Sequence, residues 1–163
     1  MNRRLFLAFV PAVLAAGCGF QLRRYDGLPF ASLYIDAPSS AVAPRVRALL
    51  AADKKLRLVE APAEAEVVLK IAEETRAKTI LSLSGAGRVT EYRLSLHLMY
   101  TISSQDQNEL AVPEKIELNS DMTYDDSLLL AKGAEEQLLY RDMVETAALR
   151  IVRRLQALPP VGI

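Results

Sequence analysis

The sequence predicts an α+β fold: a two-layer sandwich with a mixed β-sheet, in the order β-α-β and then a β-meander, and two amphipathic helices on one face. Three observations carry the prediction. Tyr92, Leu94, Leu96, Leu98, Tyr100 and Ile102 fall at every second position, with Glu91, Arg93, Ser95, His97, Thr101 and Ser103 between and beside them and Met99 the one exception. Two segments, around Val46 and from Tyr140 to Leu155, repeat apolar residues at helical spacing instead. The length left after residues 1–17 suits one domain with a sizeable core.

In chain order, Ala31 to Ala37 alternates around Leu33 and Ile35 and predicts a first strand. Asp36, Ser39 and Ser40 offer capping oxygens, and Pro44 suits the first turn of a helix whose apolar stripe is Val46, Leu49 and Leu50. Arg45, Arg47, Asp53, Lys54 and Lys55 are polar around it. Leu56 to Val59 reads as a brief strand, ended at Ala61-Pro62-Ala63. Val67, Leu69 and Ile71 predict the next strand, and Thr79 to Leu83 a separate extended stretch. Ser84-Gly85-Ala86-Gly87 is turn chemistry.

The long alternation from Tyr92 follows, with one buried and one wet face. Ser104 to Asn108 is a polar hairpin loop. Leu110, Val112, Ile116, Leu118, Met122 and Tyr124 predict a third long strand, bent or bulged near Pro113. Asp125-Asp126-Ser127 closes the sheet. A final helix follows, its start blurred by Gly133, with Tyr140, Val144, Ala147, Ile151 and Leu155 in one stripe and Pro159-Pro160 as its stop. The sheet face carrying Arg93, His97 and Thr101 is expected to stay open to water or a partner.

The N-terminus has the layout of a secretory signal peptide over residues 1–17. Arg3 and Arg4 precede an apolar run, Leu5 to Ala16, and small residues lead to Cys18. The run is shorter than the ~20 residues a spanning helix needs. Removing residues 1–17 from the 163 leaves 146, and 18 basic against 20 acidic residues, a net charge of −2. That balance gives no sign of a nucleic-acid partner, which calls for a basic surface. Cys18 is the only cysteine, so an internal disulfide is impossible. Ala15-Ala16-Gly17-Cys18 resembles the bacterial lipobox, which implies an acylated cysteine anchoring a tether over residues 18–29. A buried free thiol is the alternative. Gly19 after the cysteine favours the outer membrane by resemblance to lipoprotein sorting rules. Arg23 and Arg24 either meet anionic head groups or are solvated tether charges. The domain is expected over residues 30–158 and a short tail over residues 159–163.

Catalytic and metal chemistry are poorly provided for. His97 is the sole histidine, which rules out histidine-rich metal motifs. A histidine on a wet strand face is more often without a special role than a general base. Gly85-Ala86-Gly87 joins two strands, whereas phosphate-cradling loops open a helix. Asp125-Asp126 and Glu135-Glu136 lack ligand spacing and suit charges at a helix start. Arg150, Arg153 and Arg154 fall near one face of the last helical turns, as dipole partners or as a phosphate patch.

Several of these pieces carry a resemblance when taken in order. They are Gly17-Cys18-Gly19-Phe20-Gln21-Leu22-Arg23, Thr90-Glu91-Tyr92, Asp125-Asp126, Leu130-Ala131-Lys132, Glu135-Glu136-Gln137, and Met143 through Leu155 with Ala147-Ala148 and Arg153-Arg154-Leu155. Together they resemble the LptE family of LPS-assembly lipoproteins, partners of the outer-membrane LPS translocon barrel LptD. The resemblance spans essentially the whole mature chain. It implies a non-enzymatic, cofactor-free and metal-free lipoprotein on the periplasmic side of the outer membrane. It further implies a plug in the LptD barrel that aids barrel assembly and binds LPS during its insertion. Arg88, after Gly87, and Lys132, near the last helix, are then the candidates for LPS phosphate contacts, though each equally suits an ordinary loop or helix-end cation. A lipid-anchored periplasmic transport-auxiliary or solute-binding domain is the alternative, and a periplasmic hydrolase lacks candidate residues.

Overall fold

The computed structural model describes residues 27–160. The expected signal peptide, Cys18 and most of the expected tether lie outside the described residues. Seven elements run in the order β1 (Ser32–Asp36), α1 (Val42–Leu50), β2 (Arg57–Val59), β3 (Val67–Leu83), β4 (Val89–Ser104), β5 (Glu109–Thr123) and α2 (Leu129–Gln156). Short 3-10 turns at Pro62–Glu64 and Asp126–Leu128 precede β3 and α2. The strands form one sheet in the order β2-β1-β3-β4-β5. β1 pairs in parallel with β2 and β3, while β3, β4 and β5 form an antiparallel meander. Both helices bury their apolar stripes in the same core, against one face of the sheet.

β4 is the middle strand of the meander. Leu94, Leu96, Leu98, Tyr100 and Ile102 are all buried, as the alternation predicts, while Tyr92 is only half-buried. Each fully buried side chain contributes ~1.5–3 kcal/mol as a gross upper estimate. Over them lie Val42, Ala43, Val46 and Leu50 of α1 and Met143, Ala147, Ala148, Ile151, Val152 and Leu155 of α2. Ser40 caps α1 by accepting from the N–H groups of Val42 (3.1 Å) and Ala43 (3.0 Å). Asp125 accepts from the N–H of Ser127 at 2.8 Å and shapes the turn into α2.

The two extended stretches expected around Val67 and Thr79 are one strand of 17 residues. The intervening Ala72–Lys78 carries charges on both faces, which hides a strand from a hydrophobic pattern. It is extended because β4 pairs with it throughout: Glu74 lies opposite Leu98, Arg76 opposite Leu96 and Lys78 opposite Leu94. Directly opposed residues share a face, so these three charged side chains point toward the helices.

β1 leaves β3 after Lys70. The sheet is therefore five strands wide at one end and three at the other. The full β3 strand measures about 55 Å at ~3.3 Å per residue. β5 bulges as expected: Tyr100 pairs with Glu114 and Ile102 with Ala111, which leaves Val112 and Pro113 opposite Thr101 alone. Its outer edge carries Glu114, Lys115, Glu117 and Asp121, charges that discourage edge-to-edge pairing.

Truncating Leu96, fully buried under both layers, is expected to cost ~2–5 kcal/mol. Val112→Ala, at a side chain 76% exposed, should stay within ~0.5 kcal/mol. Urea unfolding of the two variants checks the ranking.

Candidate functional site

The narrow end of the sheet gathers the sequence-selected cations. Gly87 takes a φ of +75°, a conformation that glycine adopts without steric cost, and its N–H donates to the Ser84 carbonyl at 2.9 Å. The Ser84 N–H donates to the Arg88 carbonyl at 2.7 Å, and the Arg88 N–H to Ser84 Oγ at 3.1 Å. The turn thus holds the Arg88 backbone while its side chain projects into solvent, without an ion-pair partner among the described residues.

Lys132 lies within α2, at the same end of the sheet. Its Nζ donates to Thr123 Oγ1 at 3.0 Å and to Glu135 Oε2 at 2.8 Å, and its side chain is only 14% exposed. Thr123 pairs with Glu91 of β4, and the N–H of Tyr124 donates to the Thr90 carbonyl at 2.8 Å. The fold therefore brings Arg88 and Lys132 to one end. It leaves Arg88 free and commits Lys132 to an internal pair.

The same end is apolar to a degree that periodicity did not single out. Ile80, Leu81, Leu83, Leu128, Leu129 and Leu130 are exposed, Leu130 at 91%. The run Leu128-Leu129-Leu130 was the available signal, since three successive leucines cannot all face a core from one helix. Just inward, the Tyr92 and Tyr124 rings pack edge to face at 5.0 Å. Lys78 Nζ sits 4.4 Å from the Tyr92 centroid and 2.6 Å from Glu136 Oε2. The hydrogen bond to Glu136 raises the Lys78 pKa above its ordinary value, while desolvation opposes the rise.

The remaining candidates are occupied structurally. Glu135 and Glu136 pair with Lys132 and Lys78 respectively. Arg154 Nε lies 3.4 Å from Glu114 Oε2, the same oxygen that accepts from the Tyr100 hydroxyl at 2.8 Å. Burial first, and that bond second, raise the Tyr100 pKa. Arg150 and Arg153 stay exposed, while Arg154 is half-buried. His97 lies on the open sheet face, with Nδ1 3.8 Å from Glu117 Oε1, and Glu117 is itself paired with Lys115 at 2.5 Å. On that face Arg93 binds Asp121 through two nitrogens, at 2.8 and 2.9 Å. Among the described residues no group of three or more His, Cys, Asp or Glu side chains could hold a metal ion, and no helix is long and apolar enough to cross a membrane.

Comparison with known proteins places this architecture. The family model described as LptE, lipopolysaccharide-assembly, matches residues 30–155. The chain belongs to the LptE family. The LPS-assembly lipoprotein LptE of Photorhabdus laumondii is 30% identical over 161 residues, 94% of this chain and 86% of that one. Among solved structures, an uncharacterized lipoprotein B from Nitrosomonas europaea superposes with a TM-score of 0.74 at 33% identity, covering 85% of this chain and 91% of that one. The rare lipoprotein B of Shewanella oneidensis gives 0.65 at 27% identity, covering 76% and 92%. A minor lipoprotein from Acinetobacter baumannii shares the fold, with a TM-score of 0.65 at 21% identity and coverage of 84% and 100%. The α+β sandwich of mixed sheet and two helices is thus the LptE architecture.

Three surface pairs of this LptE-family domain contribute to its response to acid. Hydrogen bonds from Arg45, Lys115 and Arg93 hold the Glu145, Glu117 and Asp121 carboxyls below their ordinary range. A carboxyl depressed in the folded state stabilises fully above its unfolded pKa, ~4, and that contribution is lost as pH falls through the folded value. Thermal unfolding should therefore move to lower temperature as pH drops below ~4. Glu145→Gln is expected to flatten part of that slope; an identical slope in the variant would show that the pair with Arg45 contributes nothing.

Proposed function

We propose that this LptE-family chain is an outer-membrane lipoprotein, acylated at Cys18, that aids assembly of the LptD barrel, plugs it, and binds LPS on its way to the cell surface. Its role is that of a non-enzymatic partner. The observation that carries the reading is the end-to-end polarity of the domain. The chain enters at Gly27 and β1 at the wide end, and the Arg88 turn with its exposed leucines forms the narrow end, roughly 55 Å away along β3. A cation beside exposed apolar side chains suits an amphiphile that carries both phosphates and acyl chains. The name of the Photorhabdus laumondii relative, an LPS-assembly lipoprotein, supports the same assignment.

In this reading Arg88 supplies a fork of donors for a phosphate. Lys132 joins once a phosphate displaces Glu135 from its ammonium group. The open sheet face, with its Arg93–Asp121 and Lys115–Glu117 pairs, turns toward the polar wall of the barrel lumen.

Two measurements test the proposal. Affinity capture of tagged full-length protein from detergent-solubilised outer membranes should recover a stoichiometric large β-barrel with LPS retained. Recovery of the lipoprotein alone, under conditions that preserve other barrel complexes, favours a transport-auxiliary domain instead. Arg88→Asp should weaken LPS binding about tenfold, and Lys132→Gln by less, because Lys132 is already paired. Wild-type LPS affinity in Arg88→Asp would remove that residue from the site.

A further inference from the structure

A second cationic feature lies on the helix side of the sheet, on the order of 25 Å back along β3 from the Arg88 turn. An open cleft of about 300 Å³ separates the start of α1 from the middle of α2, lined by Ala41, Arg76, Gln137, Tyr140, Arg141 and Val144. Arg76 is held in place: its guanidinium lies 5.2 Å from the centroid of the Tyr140 ring. That ring is fixed in turn, because the Tyr140 hydroxyl donates to the Ala77 carbonyl at 2.8 Å. Gln137 and Arg141 are four residues apart on α2, and so lie on one face of it.

Three nearby carboxylates are engaged elsewhere. Glu74 accepts from Ser40 Oγ at 2.5 Å and from the N–H groups of Ala41 at 3.1 Å and Val42 at 3.3 Å. Glu136 is bound to Lys78. Glu145, one turn beyond Arg141, takes Arg45 through two bonds, one of them 2.8 Å from Nη2. Among the described residues neither Arg76 nor Arg141 has a carboxylate partner. Two guanidinium groups and an amide are thus left facing one cleft, beside two acids paired with other cations and a third, Glu74, that accepts from neutral donors at the start of α1. The α1 N-terminus is not the donor, since Glu74 and Ser40 already occupy its leading N–H groups.

We propose that this cleft is a phosphoryl-binding site, taking a phosphate monoester between Arg76 and Arg141 with Gln137 donating to a further oxygen. Guanidinium forks match phosphate oxygens in pairs, and a fork already ordered by an aromatic ring loses less entropy on binding. Val144 offers an apolar flank to the esterified group. The phosphate comes from a soluble sugar phosphate or from a lipid head group, and both present the same oxygens. The site is separate from the Arg88 end and does not depend on the LPS reading.

The test uses the full-length, 15N-labelled protein in detergent micelles and follows the arginine Nε–Hε resonances. Sodium phosphate, glucosamine 1-phosphate and deacylated LPS are titrated in turn, with sodium chloride at matched ionic strength as the control. Saturable shifts at Arg76 and Arg141 are expected. Binding should be about tenfold weaker in Arg141→Gln and unchanged in Lys54→Gln. Arg76→Lys, which keeps the charge and loses the fork, should also weaken it. Saturation by the two small phosphates identifies a soluble source, and saturation by deacylated LPS alone identifies a lipid-borne one. Shifts that sodium chloride reproduces, shifts indifferent to Arg141→Gln, or no saturable shift with any of the three anions would overturn the proposal. Arg88→Asp should leave the cleft titration unaltered whichever way LPS binding responds to it, which keeps the two sites' tests distinct.

Discussion

The antiparallel ladder between β3 and β4 is the constraint on which the rest of the molecule depends. β4 presents Leu94, Leu96, Leu98, Tyr100 and Ile102 to the helices and must be paired on both sides to do so. A slip of one residue would exchange that row for Arg93, Ser95, His97, Met99 and Thr101. The register is therefore set by burial, and β3 and β5 take theirs from it. The β5 bulge at Val112–Pro113 follows from the same requirement. Proline cannot donate to a ladder, so it sits on the edge strand at a place where the pairing opens.

Because β3 outruns β1, its outer part has charged side chains toward the helices where an inner strand would carry apolar ones. Those charges join the layers. Glu74 binds the start of α1, Arg76 lies over Tyr140 of α2, and Lys78 pairs with Glu136 while lying over Tyr92. None of these contacts is deeply buried, and single exposed pairs contribute at most ~1 kcal/mol. What they fix is orientation: α2 is held over the arm by several directional contacts beyond the reach of its buried stripe. They also decide which arginines keep their charge available, since every acid used in the joint is withdrawn from Arg76 and Arg141.

The fold was legible wherever one face is dry and the other wet. The β4 alternation, the Val46 and Ile151 stripes, the Gly87 turn and the bulge near Pro113 all have local causes. The middle of β3 was not legible, because Ala72–Lys78 is polar on both faces and is extended only through its pairing with β4. The first turns of α2 were obscured similarly. Gly133 weakens helix propensity, and Leu128, Leu129 and Leu130 obey no amphipathic period because they face no core. For the candidate site, Arg88 and Lys132 were named through the family resemblance, and only the place of Arg88 after a turn glycine is a local signal. The Lys132–Glu135 pair was not anticipated, although a three-residue spacing pairs on a helix. The Arg76–Arg141 cleft had no sequence signal, because its cations are far apart in the chain and packing decides which partners the nearby acids take.

The widening of the sheet at the end where the chain enters governs how the domain bears mechanical load. β1 runs parallel to β3 and begins at the wide end, so a pull on the chain ahead of Ser32 acts along the strand axis. Three pairs to β2 and four to β3 lie across that line of force. They are sheared as a set, and cannot be unzipped one bond at a time. Beyond Lys70 the β3–β4–β5 arm has no pair to β1, so the tug reaches it only through the first four residues of β3. A domain tethered from this side can be pulled on without disturbing the register of its far end.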